Sequence, residues 1–239
     1  MPAGLPYQCT IDSFSDVVPS CVEVAQSTCD LPSGATSREL ESLGWAVPAR
    51  QAEFATGRVP ARRAPAVAGA PAGDLLRDSS GAPTWPSGFI GSITHCSGFR
   101  AAAVAARRDV CALGIDAELH RPLAAELVDA IATPQEQRAW PFVPGLWPEV
   151  VTFSAKESAY KAYSGLGSGF LDFPDVHVEL KGQERLREDA WSGTFDAHLR
   201  RAQVPPGLPP VVRGRWLVAG SLVFTAVVLE AAAGAGRCA

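Results

Sequence analysis

The sequence predicts an α+β fold in which strands and helices are segregated. Strand-like segments over 89–118 precede helical patterns over 121–138 and 153–165, and a second group of strands follows over 175–229. No β-α-β alternation runs through the chain, so a doubly wound parallel sheet is not expected. The last segment, Arg213 to Leu229, has two β-branched runs joined by Ala219-Gly220-Ser221, the pattern of an antiparallel hairpin.

The bulk properties narrow the function classes. A chain of 239 residues, 47% hydrophobic and 19% charged, is of ordinary globular composition and fits one large domain or two small ones. A net charge of −4 without a basic block makes nucleic acid an unexpected partner. The longest apolar run, Leu222 to Leu229, is too short to span a bilayer, so no membrane partner is expected. No basic stretch followed by an apolar run opens the chain, so no signal peptide is read. Cys9, Cys21, Cys29, Cys96, Cys111 and Cys238 form no C-x-x-C and have no His at zinc spacing. They read as incidental thiols, and the setting as reducing and cytoplasmic.

Residues 1–45 lack a clear period, apart from a helix start at Ser37 that predicts a short helix to Leu43. Val47 to Ala64 reads as a helix with Pro48 in its first turn. Arg50, Phe54, Arg58 and Arg62 share one face, a pattern that could grip phosphate oxygens or stand as a solvated basic face. Gly57 weakens this helix, and Pro60 is expected to end or kink it. Residues 65–88 read as loop, with a turn at Ser80-Gly81-Ala82-Pro83.

A strand is expected from Phe89 through Ile93, then a break near Ser97-Gly98 and a further element to Ala106. His95 sits at that break, and with Thr94 it could donate to an anion. Asp109 to Glu118 reads as another strand. Its period of two puts Asp116 and Glu118 on the same side. Paired carboxylates repel and call for a cation, a shared proton or water. A hard divalent ion such as Mg²⁺ takes one or two carboxylates plus phosphate oxygens and water. A solvated strand end is the plainer alternative.

Arg121 to Arg138 is helical in pattern, broken at Thr133-Pro134. Pro141 to Pro148 is loop, anchored by Trp140 and Trp147. Then comes Phe-Ser-Ala-Lys-Glu-Ser-Ala-Tyr-Lys-Ala-Tyr-Ser-Gly, residues 153–165. Ser154 and Glu157 have capping-box spacing, Gly165 is a stop, and Glu157 and Lys161 stand in favourable order for an ion pair. Eighteen of the 21 basic residues are Arg, and two of the three Lys are Lys156 and Lys161. A chain that otherwise uses the planar Arg fork places two compact ammonium groups around one carboxylate here. Strands follow at Asp175–Leu180 and Gly193–Leu199, with a Pro-rich connection from Gln203 to Pro210. Three carboxylates, several cations and a His-bearing turn together suit Mg²⁺-assisted attack on a phosphate ester or anhydride.

Gly-Ile-Asp-Ala-Glu at 114–118, followed at this separation by Phe-Ser-Ala-Lys-Glu-Ser-Ala-Tyr-Lys-Ala at 153–162, resembles the double signature of the 4′-phosphopantetheinyl transferases. Residues 91–105, Trp85-Pro86 and residues 53–58 are similar to the Sfp-type branch, nearest its enterobactin-synthetase component D-like group. The resemblance runs over residues 45–229. It implies transfer of the phosphopantetheine arm of coenzyme A to a Ser of an apo carrier-protein domain, with release of adenosine 3′,5′-bisphosphate. By motif, Asp116, Glu118 and Glu157 would hold Mg²⁺ on the pyrophosphate, and Glu157 would take the Ser proton, directly or through water. Lys161, with Lys156, would neutralise the pyrophosphate. Thr94 and His95 would contact coenzyme phosphates, and Arg50 and Arg58 the 3′-phosphate. Ser80 stands where the group carries a basic residue, and Arg77 is the substitute.

The implied fold is a monomer of two pseudo-twofold-related halves, each a long helix on a small antiparallel sheet. The half at 1–110 would carry the coenzyme phosphate contacts, and the half at 111–239 the Mg²⁺ site and catalytic helix. Two other classes stay open: a non-catalytic coenzyme A or nucleotide-binding module, and a different Mg²⁺-dependent nucleotide hydrolase, although no P-loop is present.

Overall fold

A computed structural model describes residues 14–231, except 30, 32, 72, 79–80, 168, 170 and 201–208. The chain is α+β with two antiparallel sheets. The first holds β1 (Glu23–Ser27), β2 (Phe89–Cys96) and β3 (Phe99–Ala106) in the order β1-β3-β2. The second holds β4 (Val110–Leu119), β5 (Val176–Arg187), β6 (Ala190–Leu199), β7 (Val211–Ala219) and β8 (Leu222–Glu230) in the order β4-β8-β7-β6-β5. Five α-helices accompany them among the described residues: α1 (Ser37–Leu43), α2 (Pro48–Val67), α3 (Ala125–Ile131), α4 (Pro134–Ala139) and α5 (Pro148–Gly165). None of the described helices is long and apolar enough to cross a membrane.

Strand β3 explains its own composition. Ala102 packs with Ala61 and Leu75, and Val104 with Ala64, on the side of α2. Ala101, Ala103 and Ala105 face the other way, into a core with Phe14, Ile115 and Phe224. A strand covered on both faces needs small apolar residues throughout, which is what Phe-Arg-Ala-Ala-Ala-Val-Ala-Ala supplies. Phe224 meets Phe14 and Phe99 edge-on, with ring centroids 5.1 and 5.3 Å away, joining β8 to the first sheet.

Helix α2 departs from expectation by running through both Pro60 and Pro65 to Val67. Burial of Ala55, Ala61 and Ala64 along its length outweighs the hydrogen bonds that the two prolines remove. The expected short helix at Ser37–Leu43 is present and starts with a Thr36/Glu39 capping box. The pattern over 121–138 is α3 and α4, divided where Thr133 caps the second helix. Most of the Pro-rich stretch 203–210, the turn residue Ser80, and Cys9 and Cys238 lie outside the described residues. Cys111 is disulfide-bonded, so the expectation of incidental thiols fails there.

Helix α5 lies on the second sheet. Val150, Val151, Ala155, Ala159, Ala162 and Tyr163 join Trp216, Phe195 and Val227 in its core. The helix begins at Pro148, well before Ser154, with Trp147 as its N-cap residue. Ser154 is therefore an interior residue and caps nothing. Proline at the first helical position and the buried Val150-Val151 pair carry the start upstream. Gly114 lets β4 come close to this helix: a Cβ there would lie 2.7 Å from Ala162 N and collide with the Ser158 carbonyl. That approach sets Asp116 beside the middle of α5.

Candidate active site

The two halves of the motif meet across β4 and α5. Lys161 Nζ is 2.7 Å from Asp116 Oδ1 and donates to the Ile115 carbonyl at 3.0 Å. Asp116 is buried and held by hydroxyl donors as well: Thr94 Oγ1 to Oδ1 at 3.2 Å and Ser154 Oγ to Oδ2 at 2.9 Å. The anticipated Glu157–Lys161 ion pair is absent among the described residues, because Lys161 reaches the strand instead.

Glu118 and Glu157 complete the cluster. Both are half-buried, and neither has a hydrogen bond or ion pair among the described residues. Burial, then repulsion from Asp116, pushes the Glu118 carboxyl up to about 7, against the pull of Lys161. Glu157 is also raised, by burial first; Lys161 opposes the shift and Asp116 adds to it. The cluster is thus short of positive charge. All its donors are oxygens, which suits a hard divalent cation. Among the described residues no group of three or more His, Cys, Asp or Glu is gathered closely enough to hold a metal ion by itself.

Two expected coenzyme contacts are used elsewhere. Strand β2 docks on the free edge of β4 through side chains: Ser92 Oγ accepts from Ile115 N at 3.1 Å, and Thr94 Oγ1 from Ala117 N at 3.0 Å. The hydroxyl of Thr94 is buried in this seam. Lys156 is engaged within the protein as well. Its ammonium is 2% exposed and sits on Glu136, 2.9 Å away, with the Ile131 and Phe173 carbonyls at 2.7 and 3.1 Å. It is a structural clamp between α5, α4 and the turn at Phe173, with no donor left for a coenzyme.

His95 sits at the end of β2, 3.2 Å from Arg50 Nη1. Arg can only donate, so His95 Nε2 accepts and the ring is neutral in this pair. Desolvation, then the Arg50 charge, lowers its pKa. Two turns along α2, Arg58 is buried over the Phe54 ring at 4.2 Å. Its Nε and Nη1 have no hydrogen-bond partner among the described residues. Desolvation lowers its pKa to about 10; Glu39 counteracts this, and Arg77 and Arg62 add to it. Buried guanidinium donors without partners are costly, and an anion would relieve the cost. Arg77 donates Nε–H to the Gly81 carbonyl at 2.9 Å.

A cavity of about 150 Å³ opens beside Glu157, walled by Tyr160, Leu171, Phe173 and Val176. Sequence reading passed over Glu136 and Thr225, which hold Lys156 and Ser154. Thr133-x-x-Glu136 has capping-box spacing, and Thr225 is a lone hydroxyl in an apolar strand; those are the signals that were there to find.

Residues 39–105 match the 4′-phosphopantetheinyl transferase N-terminal domain, and residues 112–219 the 4′-phosphopantetheinyl transferase superfamily. The chain is 38% identical over 234 residues to the 4′-phosphopantetheinyl transferase Svp of Streptomyces mobaraensis, covering 91% of this chain and 89% of that one. It is 36% identical to 4′-phosphopantetheinyl transferase PptT of Mycobacterium tuberculosis, over 80% of this chain and 84% of the relative. Enterobactin synthase component D of Salmonella typhi is 30% identical, over 74% and 71%.

Proposed function

Because the chain belongs to the 4′-phosphopantetheinyl transferase superfamily, we propose that its carboxylate cluster carries out the transfer with Mg²⁺ and that Glu157 is the base. The chain is a transferase that moves the phosphopantetheine arm of coenzyme A onto a carrier protein. The observation behind the site assignment is the 2.7 Å contact of Lys161 with Asp116, which joins the two motif segments.

Asp116, Glu118 and Glu157 are the residues to hold the cation. Held there, the cation would supply positive charge to offset the charge on the pyrophosphate when adenosine 3′,5′-bisphosphate leaves. Glu157 accepts the proton of the carrier Ser hydroxyl, and its carboxylate, with no hydrogen-bond partner among the described residues, is available to do so. Lys161 adds positive charge near the reacting phosphate. His95 and Arg50 supply donors at the edge of the cluster, and the orphaned donors of Arg58 suit the 3′-phosphate, with Arg77 nearby. The cavity beside Glu157 suits the pantetheine arm, because that arm is bonded to the reacting phosphorus.

We assign the coenzyme phosphate contacts to the half up to residue 110, and the metal and catalytic helix to the half from 111. α2 on the first sheet and α5 on the second support a pseudo-twofold relation between the halves.

Incubation with coenzyme A, Mg²⁺ and a panel of apo carrier proteins, read by intact mass, tests the reading. A Mg²⁺-dependent gain of the phosphopantetheine arm with release of adenosine 3′,5′-bisphosphate is expected. Coenzyme A binding without a mass gain on any carrier would overturn it.

A further inference from the structure

Thr225 is a lone hydroxyl in the apolar run of β8, and it is fully buried. The β4/β8 register sets it directly opposite Asp116, so both face α5. Its Oγ1 donates to the Ser154 carbonyl at 2.8 Å and lies 2.9 Å from Ser154 Oγ. Ser154 Oγ donates to Asp116 Oδ2 at 2.9 Å. A serine inside a helix ordinarily turns its hydroxyl back onto a carbonyl of the preceding turn. Ser154 turns outward to the strand instead.

An ionised carboxylate only accepts, so the Ser154 hydrogen is committed to Asp116. In the Ser154–Thr225 contact the donor is then Thr225, whose single hydrogen is shared between the Ser154 hydroxyl and carbonyl oxygens. On Asp116, Oδ1 receives both Lys161 and Thr94, and Oδ2 receives Ser154. Of about four lone-pair sites on a carboxylate, one remains, on Oδ2.

We propose that Ser154 and Thr225 are positioning residues for cation binding. Thr225 aims the Ser154 hydroxyl, and Ser154 fixes the Asp116 carboxylate so that a single Oδ2 lone pair is left for the ion. This rests on the divalent-cation reading of the site. It is distinct from the roles of Glu118 and Glu157, whose carboxylates these hydroxyls do not touch.

The test is binding of Mn²⁺ in the presence of coenzyme A, without carrier or turnover, followed by electron paramagnetic resonance on the whole chain. Ser154→Ala and Thr225→Val, the latter nearly isosteric, should each weaken Mn²⁺ binding by about tenfold, the usual effect of losing an outer-shell partner. Thr225→Ser keeps the hydroxyl and should restore natural binding. In turnover, the two weakened variants should need more Mg²⁺ while the KM for the carrier holds. A crystal structure of Thr225→Val should show Ser154 Oγ turned toward the Val150 carbonyl. Folded Ser154→Ala and Thr225→Val chains that hold Mn²⁺ as tightly as the natural chain would overturn the inference. A natural chain that binds no Mn²⁺ would overturn the cation reading itself, and the inference with it.

Discussion

Lys161 on α5 is tied to Asp116 on β4, 2.7 Å away, and not to Glu157 one turn back on its own helix. The ammonium therefore holds helix and strand together and leaves the Glu157 carboxylate free. Replacing Lys161 by Met should strip the buried Asp116 of its only ionic partner among the described residues. We expect a loss of about 1–3 kcal/mol in thermal or denaturant unfolding, and a fall of about a hundredfold in kcat. Lys161→Arg should not restore activity, because a planar fork cannot reproduce a compact ammonium donating to Asp116 Oδ1 and the Ile115 carbonyl. Full activity in Lys161→Arg would count against this geometry.

Glu157 has no hydrogen bond to lose among the described residues, so Glu157→Gln should unfold at nearly the natural temperature. Its transfer rate should drop by at least about a hundredfold, the usual contribution of a general base. Matched thermal scans and single-turnover transfer assays check both halves. An unimpaired rate would move the base elsewhere.

Acidity should act through the same cluster. The Glu118 carboxyl is pushed up to about 7, by burial first, and Glu157 is raised for the same leading reason. Groups raised in the folded state hold protons more tightly there than when unfolded. Their contribution to stability is full below the ordinary carboxylate range and is lost as pH rises through their raised values, about 7 for Glu118. A divalent cation binds the ionised form and reverses that loss. The gain in Tm on adding Mg²⁺ should thus be larger at pH 8 than at pH 6. Equal gains at both values would separate the titrating carboxylates from the metal.

Arg58 is a buried cation whose Nε and Nη1 lack partners among the described residues. Arg58→Met should weaken coenzyme A binding about thirtyfold, roughly 2 kcal/mol, the scale of a charged hydrogen bond. It should leave 3′-dephospho-coenzyme A almost unaffected. The free chain should be no less stable, since a desolvated charge is removed. Calorimetric titration with the two coenzymes, beside thermal unfolding, checks this; equal losses for both ligands would place the 3′-phosphate elsewhere.

The sequence by itself determined the segregated order of strands and helices, the closing hairpin, the short helix at Ser37–Leu43, and the residue types of the cluster. These follow from local pattern: alternation fixes which side of β4 carries Asp116 and Glu118, and helical spacing puts Glu157 and Lys161 on neighbouring turns. Tertiary structure decided what those groups do. Ser154 looked like a cap because spacing cannot see that the helix starts at Pro148. Along the chain Lys156 gives no sign of its partner Glu136 on another helix, nor Thr94 of the edge of β4 that engages its hydroxyl. Pro60 looked like a stop because the packing of α2 on β3 is invisible along the chain. Local spacing says which groups can be neighbours on one element. Which of them is spent on holding the fold, and which is left over for chemistry, depends on donors and acceptors brought from distant elements.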